Sequence, residues 1–168
     1  MRRTLDLTYR ICELLAAFFL ASLGALILAQ IVGRLFGVLV PGADDLAIYS
    51  MAASAFLALG PALRAGAHIR VGLVIDFLGR RGRTFLEAAC LLAGTALVGY
   101  FTWYAFEMTR FSWMFGDVSQ GLVPIPLWIP QAGMTLGLLV LVVAFLDDLA
   151  ALAAGRQPSY SGKVGEEG

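Results

Sequence analysis

The sequence predicts an all-α membrane protein with four transmembrane helices, and three observations support this fold class. Apolar residues make up 60% of the 168 residues and charged residues only 14%, whereas soluble domains are about 45–50% apolar and ~25% charged. The charged residues lie between four long uncharged segments rather than along the whole chain. No segment alternates apolar and polar residues with a period of two, which excludes a transmembrane β-barrel.

Each uncharged segment has about the length that a membrane span requires. A helix needs roughly 20 apolar residues to cross the ~30 Å hydrocarbon layer of a bilayer. The segments are rich in alanine, leucine and glycine, as is typical of packed transmembrane helices. We therefore expect four spans, at residues 14–33, 46–63, 88–106 and 127–146.

The start of the fourth span follows from three prolines. The uncharged segment at residues 118–146 is longer than one span requires, and it contains Pro124, Pro126 and Pro130. Proline is tolerated in the first turn of a helix, where its missing N–H is not needed, but not in the helix interior. Either Pro126 or Pro130 can occupy that first turn, which places the start of the span near residue 127.

The distribution of arginine and lysine predicts that both termini are cytoplasmic. Ten of the twelve basic residues lie in the N-terminal head, in the loop between spans two and three, and in the tail. The other two loops carry only Arg34 and Arg110. Basic residues accumulate on the cytoplasmic side of membrane proteins. We expect residues 1–155 to form a single four-helix domain with this N-in/C-in topology, and the polar tail at residues 156–168 to be disordered.

The loop after span two is expected to contain an amphipathic helix at about residues 68–78. Its apolar residues share one helical stripe, with spacing i, i+3, i+4 and i+7: Val71, Val74, Ile75 and Leu78. Three arginines follow the stripe: Arg80, Arg81 and Arg83. Such a helix lies in the membrane interface, with membrane lipids as partners and the arginines near anionic headgroups. The alternative is a loop of no special role.

The sequence contains no motif for catalysis, metal binding or cofactor binding. His68 is the only histidine, which excludes a bis-histidine haem or a histidine-rich metal site within one chain. Walker A, GxGxxG and GxSxG motifs are absent. Cys12 and Cys90 lie in apolar segments and are expected to be buried hydrophobic residues. Twelve acidic and twelve basic residues cancel, so nucleic acid is not an expected partner. We expect no enzyme and no cofactor.

The acidic pairs lie at the ends of the spans. Asp44 and Asp45 could act together in acid–base chemistry, but the simpler interpretation places them at the N-terminus of span two, where the helix dipole favours negative charge. Asp147 and Asp148 are expected to be solvated at the end of span four. No span has a central charge, although ion-coupled carriers generally need charges or broken helices there.

The uncharged span interiors favour an accessory subunit over a protein that translocates a substrate by itself. Two alternatives are a small self-associating channel or carrier and a membrane anchor for a haem protein; the single histidine argues against the anchor. Small residues provide faces for close helix approach. These are the Gly133–Gly137 step in span four and the row Ala21, Ala25 and Ala29 in span one.

Two short segments on either side of span two resemble a known family. Asp44-Asp45-Leu46-Ala47 precedes the span, and Arg64-Ala65-Gly66-Ala67-His68-Ile69-Arg70-Val71, with Asp76 further on, follows it. Together they resemble the DctQ-type small permease subunit of tripartite ATP-independent periplasmic (TRAP) transporters. The four-span layout, the basic middle loop and the prolines before span four are similar too.

The chain departs from the family pattern at two positions. Ile48 precedes Tyr49 where the family often has arginine, and Gly72 follows Val71 where it often has aspartate. Charge contacts of those family residues are therefore not assigned to this chain.

The resemblance implies a role in the bacterial inner membrane. Such a subunit joins a large TRAP permease subunit, which holds the substrate and sodium sites, and the small subunit is thought to scaffold it. A periplasmic solute-binding protein delivers an organic acid, such as a dicarboxylate or sialic acid, and a sodium gradient drives uptake. On this basis we expect seven residues of this chain to make subunit or interface contacts: Asp44, Asp45, His68, Arg70, Asp76, Gly133 and Gly137.

Overall fold

The computed structural model describes residues 2–65, 80–121 and 123–154, and this part of the chain folds into four α-helices without a named strand. The helices are α1 (Arg2–Leu35), α2 (Ala43–Arg64), α3 (Arg80–Phe115) and α4 (Trp128–Ala153). All four are long and apolar enough to cross a membrane. The predicted all-α, four-span fold class is thus confirmed.

The helices are longer than the uncharged segments that predicted them, most clearly α1 and α3. These two helices contain 34 and 36 residues. At a rise of about 1.5 Å per residue, each is over ~50 Å long, which exceeds the ~30 Å hydrocarbon layer. The helices must therefore tilt in the membrane or extend beyond it. Helix α4 begins at Trp128, so Pro130, one of the two prolines that the sequence allowed there, lies in its first turn.

The helices pack side by side in the spatial order α1–α2–α4–α3. Helices α2 and α4 occupy the centre. In an 18-residue hydrophobic stretch of each, 33% and 28% of the residues are buried. In the corresponding stretches of α1 and α3, only 11% of the residues are buried. Because the two outer helices each pack mainly on one neighbour, most of their apolar surface is free to meet lipid or another protein.

The buried core lies between α1, α2 and α4. One cluster joins Tyr9, Leu63, Leu141 and Ala144, and a second joins Cys12, Ala16 and Leu57. Small side chains in both clusters let the helices approach closely. Cys12 is buried, as predicted, but the expectation for Cys90 is wrong: its side chain is exposed, because it lies on the outward face of α3, whereas Cys12 lies on the face of α1 that packs against α2.

Large apolar side chains cover the outer surfaces of α1 and α3. Among the most exposed on α1 and α3 are Leu14 (71%), Phe18 (63%), Trp103 (63%), Trp113 (64%) and Phe115 (70%). Exposure on this scale is normal only for a surface that lipid or protein covers. The predicted interfacial segment at residues 68–78 and the predicted tail at residues 156–168 lie outside the described residues. The N-in/C-in orientation stays a prediction.

Candidate functional site

The acidic pair at the start of α2 lies beside the connection between α3 and α4. Gly42 precedes the helix in a left-handed conformation with φ of 75°, which glycine adopts at little cost. Asp45 is half-buried, and its carboxylate occupies the space that a Cβ at Gly121 would need. Asp44 is exposed. The structure therefore assigns different surroundings to the two aspartates, although both belong to the first turn of the helix.

The connection between α3 and α4 is ordered by backbone hydrogen bonds in its described part. The Ser119 N–H donates to the Ile125 carbonyl at 2.8 Å, and the Leu127 N–H donates to the Asp117 carbonyl at 2.9 Å. Val123 lies close to Gly42: a Cβ added to Gly42 would be 2.8 Å from the Val123 side chain. The connection thus packs against the N-terminal end of α2 and brings three helix ends together.

Two side-chain contacts hold α3 and α4 together near this connection. The hydroxyls of Thr109 and Thr135 are hydrogen-bonded at 2.9 Å. The rings of Trp113 and Trp128 meet edge to face, with centroids 4.6 Å apart, a geometry that aromatic pairs prefer. Since α3 is an outer helix, these contacts fix it to the centre of the structure.

The predicted small-residue step on α4 faces α2 of the same chain. A Cβ at Gly137 would lie 2.9 Å from the backbone nitrogen of Leu57, whereas one at Gly133 would be 3.9 Å from the Ala53 Cβ. The close helix approach that the step predicts is therefore made within the chain at Gly137. Whether either glycine also contacts another subunit stays a prediction.

Sequence reasoning missed a polar cluster at the opposite end of the helices. Arg64, at the end of α2, forms an ion pair with Asp6 and lies over the Tyr9 ring, 4.9 Å from its centroid. Tyr9 is only 6% exposed. A guanidinium near an aromatic face is attracted by the ring quadrupole. These contacts tie the start of α1 to the end of α2.

The expectation for Asp147 and Asp148 is half wrong. Asp147 is exposed, but Asp148 is 1% exposed. Helix α4 continues past both residues to Ala153, so successive side chains point in different directions, about 100° apart. Asp148 consequently faces the protein interior. The sequence does not show which of the two aspartates is buried. In the structure, the continuation of the helix beyond them explains why one of them can be.

Hydroxyl groups within the helices bond to their own helix backbone. Each can donate to a carbonyl three or four residues earlier: Ser22, Ser54, Thr95, Thr102, Thr109 and Thr135. Because a hydroxyl has one proton, one of Thr109 and Thr135 donates to its own helix backbone and the other donates across to its partner hydroxyl. Within the ranges that the structure describes, no group of three or more His, Cys, Asp or Glu side chains could hold a metal ion. In the described spans, these hydroxyls therefore have hydrogen-bond partners within their own helices, and Thr109 and Thr135 also join two helices. His68, Arg70 and Asp76 lie outside the described residues.

One family model matches most of the chain. No curated protein matches the chain. The family model described as "Tripartite ATP-independent periplasmic transporters, DctQ component" matches residues 23–155. The match includes all of α2, with the acidic pair in its first turn, all of α3, and α4 to its end. The chain therefore belongs to the DctQ family, the inner-membrane permease components of TRAP transporters.

Proposed function

We propose that this chain is the small, non-catalytic membrane subunit of a TRAP-type secondary transporter and that it scaffolds the large permease subunit. The transporter would import organic acids, such as dicarboxylates, at the expense of a sodium gradient. The match of the DctQ family to residues 23–155 carries this proposal. In it, substrate and sodium bind to the large subunit, and a periplasmic solute-binding protein delivers the substrate.

The packing of the described helices supports a scaffolding role. A protein that carries a solute by itself needs polar or charged groups at mid-membrane, whereas the hydroxyls of α3 and α4 bond to helix backbones or to each other. The outer helices α1 and α3 present long apolar surfaces. Such surfaces suit contact with the helices of a larger subunit and with lipid.

The proposed topology gives the two ends of the protein different neighbours. With both termini inside, the Asp6–Arg64 end lies at the cytoplasmic surface, and the connection between α3 and α4 lies at the periplasmic surface, where the solute-binding protein docks on the transporter. Residues 1–155 then form one membrane domain, with the segment at residues 68–78 in the cytoplasmic interface. The excess of arginine in the head, the middle loop and the tail supports this orientation.

Copurification tests the proposed assembly. The tagged chain is extracted from its native membrane in a mild detergent, and the proteins that remain bound are identified by mass spectrometry. We expect a large multi-span permease in stoichiometric amount, and none with an unrelated tagged four-span protein as the control. Repeated isolation of the chain without any permease would contradict the proposal.

A further inference from the structure

The uncharged segments of the four helices end at different levels of the structure. On α1, Glu13 is the last charged residue before the uncharged segment, and it is exposed. The adjacent Cys12 packs with Leu57 of α2 and with Val140 of α4. Leu57 and Val140 lie about 10 Å inside the uncharged segments of their own helices, at 1.5 Å per residue. Glu13 is therefore level with apolar parts of both central helices.

On α3, a charged pair lies at the opposite end of the helices, toward the α3–α4 connection. Arg110 pairs with Glu107 at 2.9 Å, and the Arg110 side chain is 54% exposed. Thr109, which lies between them in the chain, is hydrogen-bonded to Thr135 of α4. Thr135 is about 10 Å along α4 from Trp128, at 1.5 Å per residue. The ion pair is thus also level with an apolar part of a central helix.

The other end of α3 shows the same displacement. A Cβ at Gly94 would lie 2.8 Å from the Phe145 ring of α4. Phe145 is two residues before Asp147, where the uncharged segment of α4 ends. Gly94, in contrast, is about 9 Å inside the uncharged segment at residues 88–106, at 1.5 Å per residue. At both of its ends, the uncharged segment of α3 is therefore displaced relative to that of α4 toward the Asp6–Arg64 end.

Helices perpendicular to the membrane would place these charges in the hydrocarbon layer. Glu13 would lie about 10 Å below one surface, and the Glu107–Arg110 pair about 10 Å below the other. Charged side chains inside a membrane almost always face a bundle interior or a water-filled cavity, whereas Glu13 and Arg110 are exposed on the two outer helices. Because the two sets of charges belong to opposite edges of the row and to opposite membrane surfaces, one tilt of the row brings both sets to the surfaces.

We propose that the row α1–α2–α4–α3 crosses the membrane with a tilt of roughly 35° in its own plane, so that lipid contacts an oblique apolar belt. The belt is displaced by about 20 Å between α1 and α3, over three interhelical distances of about 8–10 Å each. At this angle, ~20 uncharged residues cover about 25 Å of bilayer depth. Snorkelling of the flanking charged side chains or local thinning of the bilayer accommodates the difference. The tilt goes beyond the proposed scaffolding function and does not depend on it.

Two exposed residues at opposite edges of the row, Ala25 of α1 and Met114 of α3, lie at nearly the same level of the structure. Ala25 is nine residues from Ala16, which packs on Leu57 of α2. On α4, Trp128 is nine residues from the contact with Leu57, and its ring meets that of the residue before Met114. In a perpendicular arrangement these two residues have equal depth, whereas the tilt places Ala25 near the centre of the bilayer and Met114 near its surface.

Site-directed spin labelling tests this difference. Ala25→Cys and Met114→Cys are made in a background in which both native cysteines are replaced by alanine, and the labelled protein is reconstituted into vesicles together with any subunit that copurifies. The collision rates of each label with oxygen and with a water-soluble nickel chelate give its depth. We expect the Met114 label to lie about 15 Å farther from the bilayer centre than the Ala25 label. Equal depths would refute the tilt and would place Glu107 and Arg110 inside the membrane, against a protein partner.

A second pair of labels shows whether the whole row is tilted or one helix is merely covered by protein. Ile11 of α1 and Leu97 of α3 are exposed, and they lie next to the buried cluster of Tyr9, against which Val98 packs. Here the tilt predicts the reverse order, with the Leu97 label near the bilayer centre and the Ile11 label about 15 Å farther from it. The deeper label should thus be on α1 in the first pair and on α3 in the second. Any result other than this reversal would refute the tilt.

Discussion

Gly137 of α4 packs directly on the backbone of Phe56 in α2, and no side chain separates the two central helices there. A Cβ at Gly137 would lie 2.5 Å from the Phe56 carbonyl carbon, a distance that real Cβ atoms essentially never show. Backbone atoms cannot rotate away as the end of a side chain can. This contact therefore sets the separation of α2 and α4, on which both outer helices pack.

Gly137→Ala should destabilise the protein although alanine is the better helix former. At a helix position with free space around it, replacing glycine with alanine stabilises the folded protein by about 0.5–1 kcal/mol. Here the added methyl group must push α2 and α4 apart, and overpacking of this kind costs about 1–3 kcal/mol. The measurement is thermal unfolding of the purified protein in detergent, compared with Gly133→Ala, whose new Cβ would meet only the Ala53 Cβ at 3.9 Å. Equal stability of the two variants would show that the helices are not in contact at Gly137.

Asp148→Ala should be much more harmful than Asp147→Ala. Asp148 is 1% exposed, and loss of a buried carboxylate leaves its interaction partners without their contact, at a cost of about 1–3 kcal/mol. Asp147 is exposed, and its replacement should change stability by no more than ~0.5 kcal/mol. The midpoints of thermal unfolding in the same detergent provide the comparison. A larger effect at Asp147 would mean that α4 is rotated relative to this structure.

The Thr109–Thr135 hydrogen bond should contribute little to stability even though it joins two helices. Interhelical hydrogen bonds in membrane proteins average about 0.6 kcal/mol in double-mutant cycles. Both hydroxyls can also bond to their own helix backbones, as the structure shows, so each keeps a partner when the other is removed. A cycle with Thr109→Val and Thr135→Val measures the coupling. Thr102→Val is the control, because this hydroxyl bonds to its own helix backbone. A coupling energy between Thr109 and Thr135 well above ~1.7 kcal/mol would contradict the expected small contribution.

Asp45, His68 and Arg70 should affect assembly with the large subunit rather than sodium affinity. The structure shows Asp45 half-buried beside Gly121, where the connection between α3 and α4 meets α2. Asp45→Asn, His68→Gln and Arg70→Gln should each lower the amount of large subunit that copurifies, with Asp147→Asn as the control. The complex that remains should keep the sodium dependence of the wild type. A change in sodium dependence with assembly intact would place these residues in the transport mechanism.

The sequence was sufficient to predict the four spans because lipid excludes charge, and that constraint acts on each segment independently. The ends of the helices were harder to predict, since a helix can continue past the charges that bound an uncharged segment, as α3 continues past Glu107 and Arg110 to Phe115. The Asp6–Arg64 ion pair joins residues far apart in the chain. It depends on α1 packing against α2, which no local pattern specifies.

The same reasoning explains the candidate contact residues. The acidic pair at the start of α2 was visible in the sequence, but the difference between Asp44 and Asp45 comes from the position of the α3–α4 connection. The step Gly133–Gly137 predicted close helix approach without specifying the partner helix, because small residues allow contact with any neighbour of suitable shape. In the structure the neighbour is α2.

Reconstitution into liposomes tests the central claim most directly. Vesicles containing this chain alone, the large permease alone or both proteins are supplied with a sodium gradient and with the substrate-loaded solute-binding protein, and uptake of labelled organic acid is measured. We predict uptake only in vesicles that contain the large permease, with the highest rate when both subunits are present. Sodium-driven uptake by vesicles that contain this chain alone would contradict the account.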